Sequence, residues 1–199
     1  MKNFEGVSDE MLALLYAKGN NRAFDELLSR TQTKLFTYIM FVVRDHDIAD
    51  DIFQETFVKV ITKLQDGKYT DSGKFSFWLT RIAHNVMMDN YRHQKTTQIV
   101  EPTEDNDLNK LRSNNIMDIN RENEYVNTQV MNDVRNLMEA LPAPQREVVY
   151  MRFYQDLSFK EIAEITGVSI NTSLGRMRYA LINMRRMAKE HHIQLNMEL

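Results

Sequence analysis

Apolar residues recur along most of this chain at steps of three and four, the spacing of one face of an α-helix, and strand-like alternation is hard to find. Ser8-Asp9-Glu10 opens a first helix through Met11, Leu12, Leu14, Leu15 and Tyr16, and Gly19 stops it. Asn20 or Asn21 caps a second, which carries Ala23, Phe24, Leu27, Leu28, Leu35, Phe36, Tyr38, Ile39 and Val42. Asp47 is the expected cap of a third, running to Leu64 with Ile48, Ile52, Val60 and Leu64 as its inner stripe. A polar loop from Gln65 to Lys74 leads to a fourth, Phe75 to Lys95, with Trp78, Ile82, Val86 and Met87 turned inward. The sole tryptophan is large enough to belong in the core.

From Thr96 to about Glu124 the periodicity fades into an Asn- and Asp-rich stretch containing Pro102, read as an acidic linker. Helical spacing returns at Tyr125 and runs through Val126, Val130, Val134, Leu137, Met138 and Leu141. Pro142-Ala143-Pro144 breaks it, with Pro144 suited to the first turn of the next helix, which buries Val148, Val149 and either Met151 or Phe153. Ser158 followed by Glu161 is a capping box, so a short helix starts there with Ile162, Ala163 and Ile165 inward. Gly167 ends that helix and Ser169 caps the last one, whose apolar positions are Ile170, Leu174, Met177, Leu181 and Met184. The expected fold is all-α: two small helical domains, 7–95 and 125–190, joined by the acidic linker 96–124, the second domain a helix-turn-helix.

Composition narrows the function classes. The chain has no cysteine, which rules out a disulfide framework or a thiolate metal site and suits a reducing cytoplasm. No apolar run approaches the ~18 residues of a membrane span, so stable membrane insertion is not expected, and the N-terminus lacks the plan of a signal peptide. A net charge of −3 argues against indiscriminate polyanion binding. Charge is nonetheless segregated: acids outnumber bases between Glu101 and Glu124, while no acid occurs between Ile170 and Lys189.

That acid-free last helix carries Asn171, Thr172, Arg176, Arg178, Tyr179, Arg185 and Arg186 around its apolar face. With the cap, the small Ala163 and the Gly167 turn, it has the plan of a helix that reads duplex DNA; a hairpin with a solvated basic face is the plainer alternative. In the third helix Asp51, Gln54, Glu55 and Val58 share a face, and Glu55 and Lys59 are spaced to pair. The spacing fits a solvated face or a docking surface for a basic partner equally. Around the fourth helix Phe75, Phe77, Arg81, His84, Asn85, Met88, Arg92 and Lys95 mix rings, amide and cations, a set able to stack on unpaired bases and neutralise phosphates. A metal hydrolase built on His46, Asp47, Asp50, His84 and Asp89 would need ligands converging at about 2 Å, and these residues fall on turns and helix faces. No catalytic residue, cofactor or metal is assigned.

Three stretches in order resemble the extracytoplasmic-function sigma factors, a group of the sigma-70-like family. They are Asp47 to Phe57, Phe75 to Asn85, and Leu141-Pro142-Ala143-Pro144-Gln145-Arg146-Glu147-Val148-Val149 through Arg178. The resemblance implies a sigma factor that binds core RNA polymerase and directs promoter recognition, with no covalent chemistry of its own and a cytoplasmic location. It implies core-polymerase contacts at Asp50, Asp51, Gln54, Glu55 and Val58, and capture of a flipped base by the loop from Gly67 to Lys74. It implies contacts to the single-stranded downstream element at Lys74, Arg81, His84, Asn85, Met88 and Arg92, and to the duplex upstream element at Asn171, Thr172, Arg176, Arg178 and Tyr179. Members are usually held by an anti-sigma factor, a further class of partner. Where family members commonly have an apolar residue, a lysine and a serine, this chain has Ser173, Leu174 and Gly175. A mid-helix glycine costs about 1 kcal/mol, for which close approach to DNA is an expected compensation.

Overall fold

The computed structural model describes residues 4–69, 74–97, 125–191 and 193. Among them lie eight helices and no strand: α1 (Asp9–Ala17), α2 (Asn21–Val43), α3 (His46–Gln65), α4 (Phe75–Thr97), α5 (Tyr125–Glu139), α6 (Ala143–Phe153), α7 (Phe159–Thr166) and α8 (Ile170–Glu190). They form two compact units, one of α1–α4, the other of α5, α6, α8 and α7 through Glu164. The first two residues of the expected linker 96–124 continue α4, and its remainder, 98–124, lies outside the described residues with the loop residues 70–73.

In the first unit the helix starts follow from short polar side chains. Ser8 Oγ accepts the Met11 N–H at 3.3 Å, and Asn20 rather than Asn21 caps α2, its Oδ1 taking the Ala23 N–H at 3.4 Å. The expected cap at Asp47 is displaced to Asp45, whose Oδ1 accepts the Ile48 N–H at 3.0 Å. Arg44 ends α2 in the left-handed region, φ 64°, and leaves Asp45 extended, so the chain can begin a helix two residues earlier than the aspartates alone indicate. Asp47 then sits in the first turn, where its charge still favours the helix.

The core of this unit is a layer of Leu12, Leu27, Ile39, Ile52, Val60, Leu64 and Met87, all withdrawn from water. A file of rings runs through it, Tyr16 to Phe24 at 4.7 Å, Phe24 to Phe57 at 6.3 Å, Phe57 to Phe53 at 4.9 Å and Phe53 to Phe36 at 5.7 Å. Most of these pairs meet edge to face, as ring quadrupoles favour. Arg30 anchors the chain ahead of α1, donating to the carbonyls of Val7 at 2.6 Å and Phe4 at 2.9 Å while Glu26 holds its Nε at 2.7 Å.

In α4 the buried stripe is Phe75, Leu79, Ile82, Ala83, Val86 and Met87. Trp78, expected in the core, is only half-buried. Phe75 takes that place at 1% exposure, and the indole lies at the flank, 4.9 Å from Tyr69 and 5.7 Å from Phe75. The first turn of α4 is tied back to α1 by Glu10, whose Oε1 accepts the Phe75 N–H at 2.9 Å.

In the second unit Pro142 and Pro144 begin α6 without a side-chain cap. The buried Arg146 guanidinium compensates from the other side, donating at 2.9 Å to the carbonyls of Glu139 and Leu141, which the end of α5 leaves unmatched. α6 buries Val148, Val149 and Met151, while Phe153 is turned out. It packs on α8, where Asn183 Nδ2 donates to Gln145 Oε1 at 2.9 Å.

The face by which α8 packs differs from the expected one. Ser173, Met177, Ala180 and Ala188 are buried, whereas Ile170, Leu174 and Leu181 are exposed and Met184 is half-buried. At 3.6 residues per turn this is a rotation of about 40°. Small residues won over larger apolar ones because they let α8 lie close against its neighbour.

The Glu10 clasp has a pH signature. The Phe75 N–H, then Glu10's own N–H, hold this carboxyl below its ordinary 4.5. A depressed folded-state pKa stabilises above the unfolded value and is lost as pH falls through the folded one. Glu10→Gln is therefore expected to lower stability at neutral pH, with the gap from wild type closing in acid. Urea unfolding of both chains from pH 7 downward checks this; a gap that stays constant with pH would contradict it.

Candidate functional site

Three polar faces remain once the cores are formed. The first is the turn from α7 to α8. Ser158 and Glu161 cap each other, Ser158 N–H to Glu161 Oε2 at 2.8 Å and Glu161 N–H to Ser158 Oγ at 3.3 Å. Gly167 adopts φ 66°, and the Val168 N–H reaches back to the Ala163 carbonyl at 3.1 Å, closing α7. Ser169 Oγ then accepts the Thr172 N–H at 3.0 Å and α8 begins. Ile162, Ala163 and Ile165 are buried as expected.

Along α8 the residues opposite the buried stripe are Asn171, Gly175, Arg178 and Ile182, flanked by Thr172, Tyr179, Arg185 and Arg186. Asn171, Thr172, Arg178, Tyr179, Arg185 and Arg186 are exposed. Thr172 also shares a hydroxyl hydrogen bond with Ser169 at 2.8 Å. Arg176 is half-buried at the edge of the packed side, so it borders the outer face rather than centring it. Gly175, expected to lie close to DNA, is on this side, and Ile182 joins it without having been expected there, because the apolar positions alone put the buried stripe in a different phase. A Cβ built on Gly175 meets no atom within 4 Å, so nothing within the described protein requires glycine there.

The second face is the exposed strip of α4. Arg81, Asn85 and Arg92 are exposed and Met88 half-buried, at steps of four, three and four, with Lys74 exposed just ahead of the helix. Two expected members do not belong to it. His84 is 5% exposed and Phe75 is in the core, so neither offers the accessible surface assigned to it. α4 packs on α1, α2 and α3 at once, leaving only a narrow arc for solvent.

The third face is on α3. Asp51, Gln54, Glu55 and Val58 are all exposed, Val58 at 62%, and Asp50 is half-buried beside them. The expected Glu55–Lys59 pair forms at 2.8 Å. His46 Nδ1 lies 3.1 Å from Asp50 Oδ2. Val58 is thus an exposed apolar residue amid acids.

Among the described residues no group of three or more His, Asp or Glu side chains is arranged to hold a metal ion, and no helix is long and apolar enough to cross a membrane. Tyr150 is buried and stacked at 5.0 Å on Tyr154; burial chiefly, and Tyr154 next, push its phenol up to about 12, so it stays protonated.

Residues 27–97 match the family model for Sigma-70 region 2, and residues 131–174 match that for Sigma-70, region 4. The chain is 29% identical to the RNA polymerase sigma factor SigZ of Bacillus subtilis over 154 residues, 77% of this chain and 80% of that protein. It is 27% identical to the ECF RNA polymerase sigma-E factor of Haemophilus influenzae, over 87% of this chain and 91% of that one. Its fold is similar to that of CnrH, solved in complex with the cytosolic domain of CnrY, with a TM-score of 0.60, 24% identity, and 92% and 97% of the two chains covered. It is also similar to that of RpoE from Bartonella quintana, solved with the anti-sigma factor NepR, with a TM-score of 0.64, 22% identity, and 83% and 96% covered. The region 2 match contains the α3 and α4 faces and the region 4 match reaches the first residues of α8, and the chain belongs to the sigma-70 family of RNA polymerase sigma factors, in its extracytoplasmic-function group.

Proposed function

We propose that the three faces divide the work of this sigma factor among three contacts. Asp50, Asp51, Gln54, Glu55 and Val58 dock the chain on core RNA polymerase. Lys74, Arg81, Asn85, Met88 and Arg92 hold the unpaired strand of the downstream promoter element. Asn171, Thr172, Arg178 and Tyr179, with Arg176 at their edge, lie against the duplex of the upstream element. In domain terms 7–95 performs the first two tasks and 125–190 the third, with 96–124 as the acidic connection. The protein acts in the cytoplasm and carries out no covalent chemistry; strand capture stabilises the opened promoter. An anti-sigma factor of the kind bound to the RpoE neighbour is a further partner.

The observation that supports this reading most is the separation of charge by face: acids around an exposed Val58 on α3, and an α8 whose first acid is Glu190. A basic polymerase surface and phosphates are attracted to these two faces respectively, and each face repels the other's partner. A stand-alone regulator is the alternative, and it differs in needing no polymerase to bind duplex DNA tightly.

Gly175 fits the same reading. Alanine there has open space and gains helix propensity, so Gly175→Ala is expected to raise stability by about 1 kcal/mol. If DNA packs on that face, the same variant binds upstream duplex less well. Thermal unfolding together with holoenzyme gel shifts measures both quantities, and stabilisation with unchanged DNA affinity would remove Gly175 from the interface. Arg178→Ala is expected to weaken upstream-element binding by ~1–3 kcal/mol, the range of a bidentate guanine contact. Asp51→Lys is expected to abolish core-polymerase capture in a pull-down titration, and retention of wild-type affinity would exclude the α3 face as the dock.

A further inference from the structure

The docking face of α3 and the exposed strip of α4 are joined by a row of four alternating charges. Glu55 Oε1 lies 2.8 Å from Lys59 Nζ, the same ammonium is 3.8 Å from Asp89 Oδ2, and Asp89 Oδ1 takes Arg92 Nη1 at 3.1 Å. Glu55 and Arg92 stand at the two ends, one on the face assigned to polymerase and the other on the face assigned to the unpaired strand. Lys59 and Asp89 stand between them and have no part in either assignment.

We propose that Lys59 and Asp89 are positioning residues that make strand binding depend on polymerase binding. The inference rests on the function proposed above. Lys59 is drawn closer to Glu55 than to Asp89, at 2.8 against 3.8 Å. Asp89 is likewise divided between Lys59 and Arg92. In the free chain Asp89 occupies the place of a phosphate beside Arg92. A polymerase cation that takes Glu55 frees Lys59 to pair with Asp89, and Asp89 then gives up Arg92 to the DNA backbone. By linkage the exchange runs equally in reverse, so a strand on Arg92 leaves Glu55 more open to polymerase. Nothing but side-chain rotation is needed, because the lysine ammonium rides on a flexible four-carbon stem. The shift at each end is about two- to five-fold, the size expected of exposed ion pairs.

The test uses the full chain without polymerase and a short fluorescent oligothymidylate, with anisotropy recorded over a range of salt from low concentration upward. Glu55→Gln is expected to raise oligonucleotide affinity about two- to five-fold although Glu55 lies on α3. Asp47→Asn makes the same charge change on the same helix outside the row, and a smaller effect is expected. In a Lys59→Gln background the Glu55→Gln gain should vanish. Asp89→Asn should raise affinity to a similar extent and steepen the salt dependence by about one ion, and this gain should vanish in an Arg92→Gln background. Equal gains from Glu55→Gln and Asp47→Asn, a Glu55→Gln gain that survives without Lys59, or no oligonucleotide binding by any variant at low salt would each overturn the relay. The parent reading is tested separately: if Asp51→Lys loses core polymerase while Glu55→Gln leaves oligonucleotide binding unchanged, only the relay is wrong. If Asp51→Lys still binds core polymerase, the docking assignment itself fails.

Discussion

The outer surface of α8 depends on how α7 is closed. Gly167 at φ 66° lets the Val168 N–H reach the Ala163 carbonyl, and Ser169 immediately accepts the Thr172 N–H in the first turn of the next helix. A residue with a Cβ would pay for the left-handed geometry, and a later cap would move the start of α8. Moving that start by one residue would turn the helix by about 100° and bring residues from its flank into the packed side. The identity of the residues on the open side of α8 thus depends on one glycine and one serine.

The first unit illustrates a different limit. A helix surrounded by neighbours has little surface left for function, and α4, packed on three others, keeps Arg81, Asn85 and Arg92 exposed with Met88 and Asp89 half-buried beside them. Arg81, Asn85, Met88 and Arg92 fall on one strip by their spacing alone. α3 also packs on three helices but keeps a broader open side, on which several acids and a valine stand without burying a charge. The contrast between a narrow cationic strip and a wide acidic side follows from packing before any partner is considered.

Helix content and most helix ends were legible in the sequence because they rest on local chemistry: a hydroxyl or carboxylate three residues before an N–H, a glycine after the last turn, a proline that cannot continue. Where a nearby residue competes for the same job, local reasoning fails. Asp45 displaced Asp47 because the left-handed Arg44 changed where the chain could turn. Burial was harder still. Trp78 yielded its place to Phe75, His84 was drawn into the core, and α8 buried Ser173 and Ala180 in preference to Ile170 and Leu174. Each of these is settled by the shape of a neighbouring helix, which hydrophobicity along one helix does not encode. The exposure of Asp51 and Arg178 was legible because charge cannot easily hide, so a run without acids or a cluster of them marks surface whatever the packing.

The Arg30 clamp sets a practical boundary on handling the protein. Its guanidinium holds two carbonyls, those of Phe4 and Val7, that precede the first helix. Shortening the chain to Ser8 would strip both acceptors from a cation that Glu26 and Asp9 alone must then satisfy. An affinity tag or fluorophore therefore belongs ahead of Phe4, and fragments cut to the apparent helix boundary would be compared with the intact chain on unequal terms.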